Sequence, residues 1–476
     1  MTGALDPRVP TRVHVVGIGG AGMSAIAEVL ATMGHRVSGS DLKASAGLER
    51  LAALGVEVHV GHDKAHLADA EVVTRSTAVS DANPEVQAAR EAGVPVLSRA
   101  EVLGAMTTVR PTVAVAGTHG KTTTSSMLAL ALRDAGLRPS FVIGGDVNEI
   151  GSGAAWDEGD LFVVEADESD GSFLHLAPRI GLVTNVEPDH LEHHGGFGAL
   201  RDAFDAFVAG VAGPTLVGID DPEGAALAER SRAAGSEVAT VGGSAEADWR
   251  LVDVRNAWSG VSFDLVGPDG WVDSGRLAVA LPVPGRHNAR NAAAAVAAAV
   301  LAGADPGRAV AALSRFGGVA RRFEHRGWAA GVAFVDDYAH LPTEVAVTVD
   351  AAGTGGFDRL VAAFQPHRYS RTEALWSSFG PAFEGVDVLF VTDVYSSGEA
   401  VRPGVSGELV VDAVSRDLPD LDVRYAPRRA DLVEALVAEL SPGDLCLTMG
   451  AGDLTSVPDE VRALLVSGPE VAADGR

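Results

Sequence analysis

The amino-acid sequence predicts a three-domain α/β protein whose sheets are mostly parallel. The length of 476 residues exceeds the usual size of one domain and suggests about three, each able to bury its own core. Along the chain, an apolar strand is repeatedly followed by a glycine-containing turn and an alanine-rich amphipathic helix. This alternation of strands and helices is typical of parallel α/β units.

The repeated pattern also predicts where the domains lie. Apolar strands are expected at Val13–Val16, Thr112–Ala116, Val332–Val335, Leu360–Ala363, Val388–Val391 and Leu445–Met449. Interruptions of the pattern divide the chain into predicted domains at 1–108, 109–317 and 318–476. Between about Asp221 and Leu281, short strands with Gly and Asp turns predict a β-rich flank on the central domain.

Composition and charge exclude several classes of function. With 37 basic and 64 acidic residues, the formal charge is −27, so long-range attraction to nucleic acid is not expected. The single cysteine, Cys446, excludes an intramolecular disulfide and is compatible with a reducing compartment. There is no signal-peptide pattern and no apolar run long enough to span a bilayer. We expect a soluble, cytoplasmic protein without membrane insertion, as a monomer or weak homodimer.

The first glycine-rich segment, Gly17-Ile18-Gly19-Gly20-Ala21-Gly22, follows a strand and opens a helix that is expected to reach about Met33. Such a loop lets backbone N–H groups approach a diphosphate at the helix N-terminus. Asp41, at the end of the next predicted strand, suits a ribose hydroxyl. From these residues alone, NAD, a nucleotide-sugar and a turn that binds nothing all remain open.

A second loop, Gly117-Thr118-His119-Gly120-Lys121-Thr122-Thr123-Thr124, follows an apolar strand and begins a helix expected to end near Asp134. In such a loop the backbone cradles phosphates, the lysine reaches the β and γ oxygens, and the next hydroxyl can bind Mg²⁺. The usual spacing would place glycine where this chain has Val115, so the loop is a shortened variant. Its lysine is one of only three in the chain.

Two polar segments follow predicted strands of the same domain. These are Glu165–Asp170 and Asn185–His190. Because the carboxyl ends of parallel strands form the ligand-binding edge of such sheets, we expect both segments near the phosphate loop. Mg²⁺ prefers oxygen ligands, so Thr122 and Glu165 are predicted ligands, and His190 is a candidate for a second ion.

On these motifs and others further along, the chain resembles the Mur ligase family of ATP-dependent amino-acid ligases over nearly its whole length. The matching segments are His14–Met23, Ser38–Asp41, Gly117–Thr124, Glu165–Asp170, Asn185–His190, Pro284–Asn291, Asp336–His340 and Gln365–Arg371. The first glycine loop and the segment His367-Arg368-Tyr369-Ser370-Arg371 are most similar to the alanine-adding member.

The resemblance implies an N-terminal Rossmann-like UDP-binding domain, a central P-loop ATPase domain and a C-terminal Rossmann-like domain. It implies that ATP and Mg²⁺ are used to join L-alanine to the lactyl carboxylate of UDP-N-acetylmuramate through an acyl phosphate, in peptidoglycan precursor synthesis. The first glycine loop would then hold the UDP diphosphate rather than NAD.

The resemblance also implies roles for individual residues. UDP-sugar binding is assigned to Gly17, Gly19, Gly20, Ala21, Gly22, Met23, Ser40 and Asp41. ATP binding is assigned to Gly117, Thr118, His119, Gly120, Lys121, Thr122, Thr123, His287, Asn288, Asn291 and Arg322. Amino-acid binding is assigned to Tyr338, His340, His367, Arg368 and Arg371, metal binding to Thr122, Glu165 and His190, and catalysis to Lys121, His190, Arg322 and His340. The general base stays open between His190 and His340.

The predicted amino-acid and metal sites have three distinctive features: a pair of arginines, a leucine after His340 and the absence of any later lysine. Arg368 and Arg371, three residues apart, are expected to share one face of a helical turn and grip a carboxylate; solvated surface arginines are the alternative. Where relatives often have His-His-Pro, this chain has leucine after His340, so a role for a second histidine is absent. No lysine follows Lys121, which excludes the carbamylated lysine that bridges two metal ions in several relatives.

Three other functions remain to be separated from this one. The closest is a recycling ligase that adds a peptide to UDP-N-acetylmuramate. A nicotinamide dehydrogenase would use the first glycine loop but not the phosphate loop. A sensor that binds the nucleotide-sugar without turnover would have no need of Lys121, Glu165, His190 and Arg322.

Overall fold

Three sheets organise the computed structural model of the chain, which describes residues 5–467 apart from the side chains of residues 46, 146 and 192. They confirm the predicted three-domain α/β class. By contacts, the chain forms two compact units. Among the described residues, the first holds 5–253, 263–280 and 290–316, and the second holds 254–262, 281–289 and 317–467. The predicted domain boundaries at 108/109 and 317/318 stay predictions.

The N-terminal sheet has five strands, all parallel. Its elements are β1 (Arg12–Val16), α1 (Ala21–Thr32), β2 (Arg36–Asp41), α2 (Ala46–Ala53), β3 (Glu57–Val60), β4 (Val72–Arg75), α3 (Pro84–Glu91), β5 (Val96–Ser98) and α4 (Arg99–Thr107). The spatial order is β3-β2-β1-β4-β5. The strand order therefore reverses at β1, and the loop after β1 lies where open α/β sheets place their ligands.

The central sheet has ten strands. Its elements are β6 (Thr112–Ala116), α5 (Lys121–Asp134), β7 (Ser140–Val147), β8 (Ser152–Ala155), β9 (Phe162–Glu165), β10 (Ile180–Val183), α6 (Leu191–His194), α7 (Phe197–Ala209), β11 (Thr215–Gly218), α8 (Pro222–Ala233), β12 (Val238–Gly242), β13 (Trp249–Ala257), β14 (Gly260–Val266), β15 (Arg276–Leu281), α9 (Arg286–Leu301) and α10 (Pro306–Leu313). The order is β15-β14-β13-β12-β11-β10-β6-β9-β7-β8. Since β6 lies between β10 and β9, with which it pairs in parallel, the ends of those strands flank the phosphate loop.

The C-terminal sheet has six strands in the second unit. Its elements are β16 (Glu324–Ala329), β17 (Val332–Asp337), α11 (Pro342–Gly353), β18 (Leu360–Phe364), α12 (Tyr369–Leu375), β19 (Val388–Val391), α13 (Glu408–Asp417), β20 (Asp422–Tyr425), α14 (Arg429–Glu439), β21 (Leu445–Met449) and α15 (Val457–Ser467). The order is β16-β17-β21-β18-β19-β20, with only the β16–β17 pair antiparallel.

The alternating directions of side chains along each strand explain why this C-terminal sheet is covered by helices on both faces. Val335 and Leu447 belong to the apolar core on one face, whereas their neighbours Phe334 and Cys446 belong to the core on the other. Successive side chains of a strand point to opposite faces, so a continuous apolar strand requires helices on both sides.

Side-chain caps explain where several helices begin. Ser98 and Glu101 form a reciprocal capping box at the start of α4. Asp221 accepts a hydrogen bond from the N–H of Gly224, and Pro222 occupies the first helical position of α8, where its missing N–H costs nothing. The prediction of short strands from Asp221 is therefore wrong for its first part. Among residues 5–467, no helix is long and apolar enough to cross a membrane.

Candidate functional site

The first glycine loop is tied to the end of β2. Gly17 has φ +79°, a left-handed conformation that favours glycine. The N–H groups of Gly17 and Ile18 donate to the carbonyl of Ser40 at 2.8 and 3.1 Å, and the N–H of Gly19 donates to the Asp41 carboxylate at 2.9 Å. These bonds place the start of α1 beside Asp41, the arrangement suited to a diphosphate followed by a ribose.

Two of the predicted UDP-sugar residues direct their side chains into the interior. Met23 is 2% exposed and packs in the apolar core of the first unit. The hydroxyl of Ser40 is buried and donates to the Glu85 carboxylate at 2.6 Å. Any contact between a ligand and either residue would therefore run through the backbone, and both assignments stay predictions.

The phosphate loop needs glycine at both of its glycine positions. Gly117 and Gly120 have φ +127° and +75°. A Cβ on Gly117 would collide with Thr184, and one on Gly120 would lie 2.6 Å from Oδ1 of Asn291. The unusual Val115 lies inside β6 and is fully buried, so the conformational demands of the loop begin only after the strand.

The loop is anchored to the predicted segment that follows β10. The N–H of His119 donates to Oδ1 of Asn185 at 2.9 Å. The hydroxyl of Thr118 donates to the carbonyl of Glu187 at 3.1 Å, and the N–H of Glu187 donates back to this hydroxyl at 2.9 Å. Two motifs whose bonded residues are 66 positions apart in the sequence thus form one structure, as their positions after adjacent strands predict.

Lys121 is surrounded by acceptors. Its Nζ lies 2.7 Å from the carbonyl of Gly117, 3.2 Å from that of Thr118, and 2.9 and 2.7 Å from the two carboxylate oxygens of Glu168. Burial lowers the pKa of Lys121, but the carboxylates of Glu168 and Asp167 outweigh it and raise that pKa. Burial also raises the pKa of Glu168, against the effect of Lys121. To reach phosphate oxygens, the ammonium has to exchange these partners.

The predicted metal ligands Thr122 and Glu165 lie together. The hydroxyl of Thr122 donates to Oε1 of Glu165 at 3.1 Å, and the other carboxylate oxygen accepts from the N–H of Gly144 at 2.7 Å. An oxygen pair of this kind fits Mg²⁺, which completes its shell with water and phosphate. His190 has φ +51° at the start of α6, with Nε2 3.2 Å from Asp189. Within residues 5–467, no three His, Cys, Asp or Glu side chains form a metal-binding group.

Helix α9 carries three of the predicted ATP-binding residues. Asn291 approaches the phosphate loop at Gly120, as described above. The side chain of Asn288 is buried and donates to the carbonyl of Pro284 at 2.6 Å, and His287 follows Gly285 at the start of the helix. Of the loop residues that continue into α5, Thr123 is 7% exposed. The assignments of His287, Asn288, Asn291 and Thr123 to ATP binding stay predictions.

Arg99 is a residue of the first unit that sequence reasoning missed. Its Nη2 lies 3.4 Å from Asp167 and 3.9 Å from Asp170. The same guanidinium lies 3.4 Å from the position that a Cβ on Gly22 would occupy. Arg99 therefore connects the first turn of α1 with the acidic motif after β9. No motif contains this arginine, so nothing in the sequence alone distinguished it.

In the second unit, four rings form a row. The ring centroids are 5.3 Å apart for Tyr338 and His340, 5.6 Å for His340 and His367, and 5.8 Å for His367 and Tyr395. The first three residues were predicted to bind the amino acid, and the structure brings them together. Tyr395, which is 38% exposed, was missed because it follows β19 in a segment without a recognised motif.

The two predicted carboxylate-binding arginines differ in their surroundings. Arg371 lies in α12 and its Nη1 donates to Nδ1 of His367 at 2.9 Å. Burial, with the charges of His340, Arg371 and Arg368, lowers the pKa of His367 to about 3, so this imidazole is neutral and accepts the bond. Arg368 precedes the helix at φ +65°. The prediction that both arginines share a helical turn is wrong, because Arg368 has a non-helical backbone.

Arg322 lies beside the same aromatic row. Its guanidinium carbon is 4.9 Å from the centre of the Tyr338 ring, a distance that allows a cation–π contact. The adjacent Asp337 is buried and accepts N–H bonds from Phe323 and Ala339, both at 2.7 Å. Burial raises the pKa of Asp337 to about 6, although Arg322 opposes this. Asp337 thus fixes the backbone on both sides of the Arg322–Tyr338 contact.

Comparison with known protein families agrees with this architecture. The family model described as "Mur ligase family, catalytic domain" matches residues 12–110, "Mur ligase middle domain" matches 115–299, and "Mur ligase, glutamate ligase domain" matches 321–452. The chain belongs to the Mur ligase family.

Individual relatives match nearly the whole chain. It is 50% identical to the UDP-N-acetylmuramate–L-alanine ligase of Kineococcus radiotolerans, across 95% of this chain and 96% of the relative. It is 45% identical to the enzyme of the same name from Thermobifida fusca, again across 95% and 96%. The crystal structure of UDP-N-acetylmuramate-alanine ligase from Thermotoga maritima superposes with a TM-score of 0.77 at 27% identity, across 95% of this chain and 98% of that one.

Proposed function

We propose that this protein is an ATP-dependent ligase that joins L-alanine to the lactyl carboxylate of UDP-N-acetylmuramate in cytoplasmic peptidoglycan precursor synthesis. The observation that carries the proposal is that this chain is 50% and 45% identical, over 95% of its length, to two relatives whose names state that activity. The two glycine loops support it, because each presents a helix N-terminus beside residues suited to a nucleotide. The reaction needs both a UDP-sugar and ATP.

The proposed chemistry begins with transfer of the γ-phosphoryl group of ATP to the lactyl carboxylate, which releases ADP. The amine of alanine then attacks the acyl phosphate, and phosphate leaves as the amide forms. Catalysis of phosphoryl transfer rests on alignment and on positive charge around the transferred group. Lys121 and Arg322 are proposed to supply that charge, and Mg²⁺ at Thr122 and Glu165 would add to it when bound.

The alanine carboxylate is proposed to bind at Arg371 and Arg368, beside Tyr338 and His367. Arg371 is well suited because its bond to His367 holds the guanidinium in one orientation, and a fixed planar donor recognises a carboxylate with two hydrogen bonds. The base that takes the proton of the ammonium group stays open between His190 and His340.

A phosphate-release assay tests the function directly. The purified protein is supplied with UDP-N-acetylmuramate, ATP and Mg²⁺, and with alanine, serine, glycine or the cell-wall tripeptide in parallel. The proposal predicts release that requires both the UDP-sugar and alanine. Release that requires the tripeptide would identify the recycling ligase instead. Release without any acceptor, or none with all substrates present, would contradict the ligase assignment.

The role of the phosphate loop is tested with two variants that each replace a basic side chain by methionine. Lys121→Met is expected to abolish phosphate release. Arg428→Met alters an exposed arginine of the second unit and is expected to leave turnover near the wild-type rate. An absorbance assay with NAD and NADH is expected to show no hydride transfer by either variant or by the wild type.

A further inference from the structure

Glu85 is a buried carboxylate in the N-terminal domain that the reaction described above does not use. It lies in the first turn of α3, where Asn83 caps the helix by accepting the N–H groups of Glu85 and Val86. Its side chain is 0% exposed. A buried carboxylate is costly unless donors surround it, so its surroundings should reveal why it is there.

Four donors converge on the two oxygens of Glu85. The hydroxyl of Ser40 and Nδ1 of His62 lie 2.6 and 3.0 Å from one oxygen. The other oxygen is 2.8 Å from Nδ1 of His66 and 3.3 Å from the N–H of Asp63. Burial alone would raise the pKa of Glu85, but His14, Ser40 and His66 lower it to about 2. The group is an anion whose acceptor positions are filled.

These donors lie on both sides of Asp41. Ser40 precedes Asp41 and its carbonyl accepts the N–H groups of Gly17 and Ile18 from the first glycine loop. The carbonyl of Asp41 accepts the N–H of Gly61 at 2.7 Å, and the next residue is the donor His62. Glu85 therefore connects the end of β2, which holds the glycine loop, to the turn that follows β3.

We propose that Glu85 is a positioning residue for the UDP-sugar subsite. It holds the end of β2 and the turn at 61–66 so that the glycine loop and Asp41 keep their binding geometry before the ligand arrives. The inference rests on the proposed function of the first glycine loop. Pre-organisation of this kind reduces what must be ordered on binding, so its loss weakens binding of the UDP-sugar and not of ATP.

The variant Glu85→Gln tests the proposal with little change in size. A glutamine accepts through one oxygen and presents an N–H₂ group to donors at the other position, so at least one of the present bonds is lost. Because bonds to a buried charged group are stronger than neutral ones, we expect roughly a tenfold rise in KM for UDP-N-acetylmuramate and in the Kd of UDP measured calorimetrically. The KM for ATP is expected to stay within about twofold.

A rise in the KM for UDP-N-acetylmuramate without a rise in the KM for ATP distinguishes a positioning role of Glu85 from a general contribution to protein stability. Partial unfolding lowers the active fraction, and hence kcat, but leaves both KM values unchanged. Ser40→Ala removes one donor and keeps the carboxylate, so it should produce a smaller rise in the same KM if Glu85→Gln fails to fold. Glu49→Gln alters an exposed glutamate of α2 and serves as the matched control.

Three outcomes contradict the proposal in different ways. If the wild type binds UDP and UDP-N-acetylmuramate while Glu85→Gln or Ser40→Ala binds them equally well, Glu85 does not position the subsite. If the wild type binds neither UDP nor UDP-N-acetylmuramate, the assignment of the glycine loop to a UDP-sugar is wrong, and so is the proposed role of Glu85. Equal rises in the KM for ATP and for the UDP-sugar would also overturn it, because they indicate a global defect.

Discussion

Replacing Lys121 by alanine is expected to destabilise the protein as well as stop the reaction. Glu168 is 2% exposed, and its carboxylate oxygens lie 2.9 and 2.7 Å from Nζ of Lys121. Removing one partner of a buried ion pair leaves a charge without compensation. In the folded variant, Glu168 either remains an isolated buried anion or takes up a proton. Whichever of these two states has the lower free energy determines how much the free energy of unfolding falls.

The proton-uptake route gives an upper limit that depends on pH. The ordinary pKa of glutamate is 4.5, so keeping Glu168 protonated costs about 1.4 kcal/mol for each pH unit above that value. This cost is about 2 kcal/mol at pH 6 and about 5 kcal/mol at pH 8. The loss relative to the wild type is smaller, because burial already raises the pKa of Glu168 to about 7 beside Lys121. The sign follows from the unfolded state, which releases the proton that the folded state keeps. Rising pH therefore favours unfolding of this variant.

Urea unfolding at pH 6 and pH 8 measures this cost. Lys121→Ala should lose more stability at pH 8 than at pH 6. The double variant Lys121→Ala with Glu168→Gln should regain most of the loss at pH 8, since no carboxylate remains to be neutralised, yet it should show no turnover. Lys64→Ala provides the control with an exposed lysine. The reasoning is refuted if the double variant is no more stable than the single one at pH 8.

Three further predictions concern the second unit. Arg371→Ala should raise the KM for alanine by at least about tenfold, because one charge-assisted hydrogen bond is lost, with little change in the KM for ATP. The control is Arg428→Ala, which alters an exposed arginine. Equal changes in both KM values would contradict the role of Arg371 in binding the carboxylate. Acidification from pH 7.5 to 5.5 should lower the free energy of unfolding by about 1.4 kcal/mol through His367. Its folded pKa of about 3 keeps it neutral while the unfolded histidine, at 6.5, takes up a proton, so His367→Asn should flatten this part of the pH dependence. Cys446 is fully buried and its pKa is raised to about 12 by burial, so iodoacetamide at pH 8 should label it only after unfolding; labelling of the native protein would refute this.

Local sequence patterns predicted the two glycine loops well. The helix after the phosphate loop was expected to end near Asp134 and does so. The strands Thr112–Ala116, Val388–Val391 and Leu445–Met449 have the predicted bounds. These elements follow from short-range properties, namely apolar runs, glycine turns and helix formers, which act over a few residues.

Errors arose where a local signal was missed or where backbone geometry mattered. Helix α8 begins within a segment predicted as strands, although Asp221 and Pro222 are an ordinary cap and first helical residue. Arg368 and Arg371 have helical spacing, but the left-handed backbone of Arg368 separates it from the helix. Spacing alone cannot show on which side of a helix start a residue lies.

The sequence by itself determined which residue types are available for chemistry: the loop containing Lys121, the acidic motif at Glu165 and the absence of any later lysine. Only the tertiary structure decided how those residues are paired. Glu168 contacts Lys121 across 47 positions, and Glu85 contacts Ser40 across 45. Such pairs depend on which strands become neighbours in a sheet, and strand neighbours are chosen by the packing of whole apolar faces rather than by the polar residues at their ends.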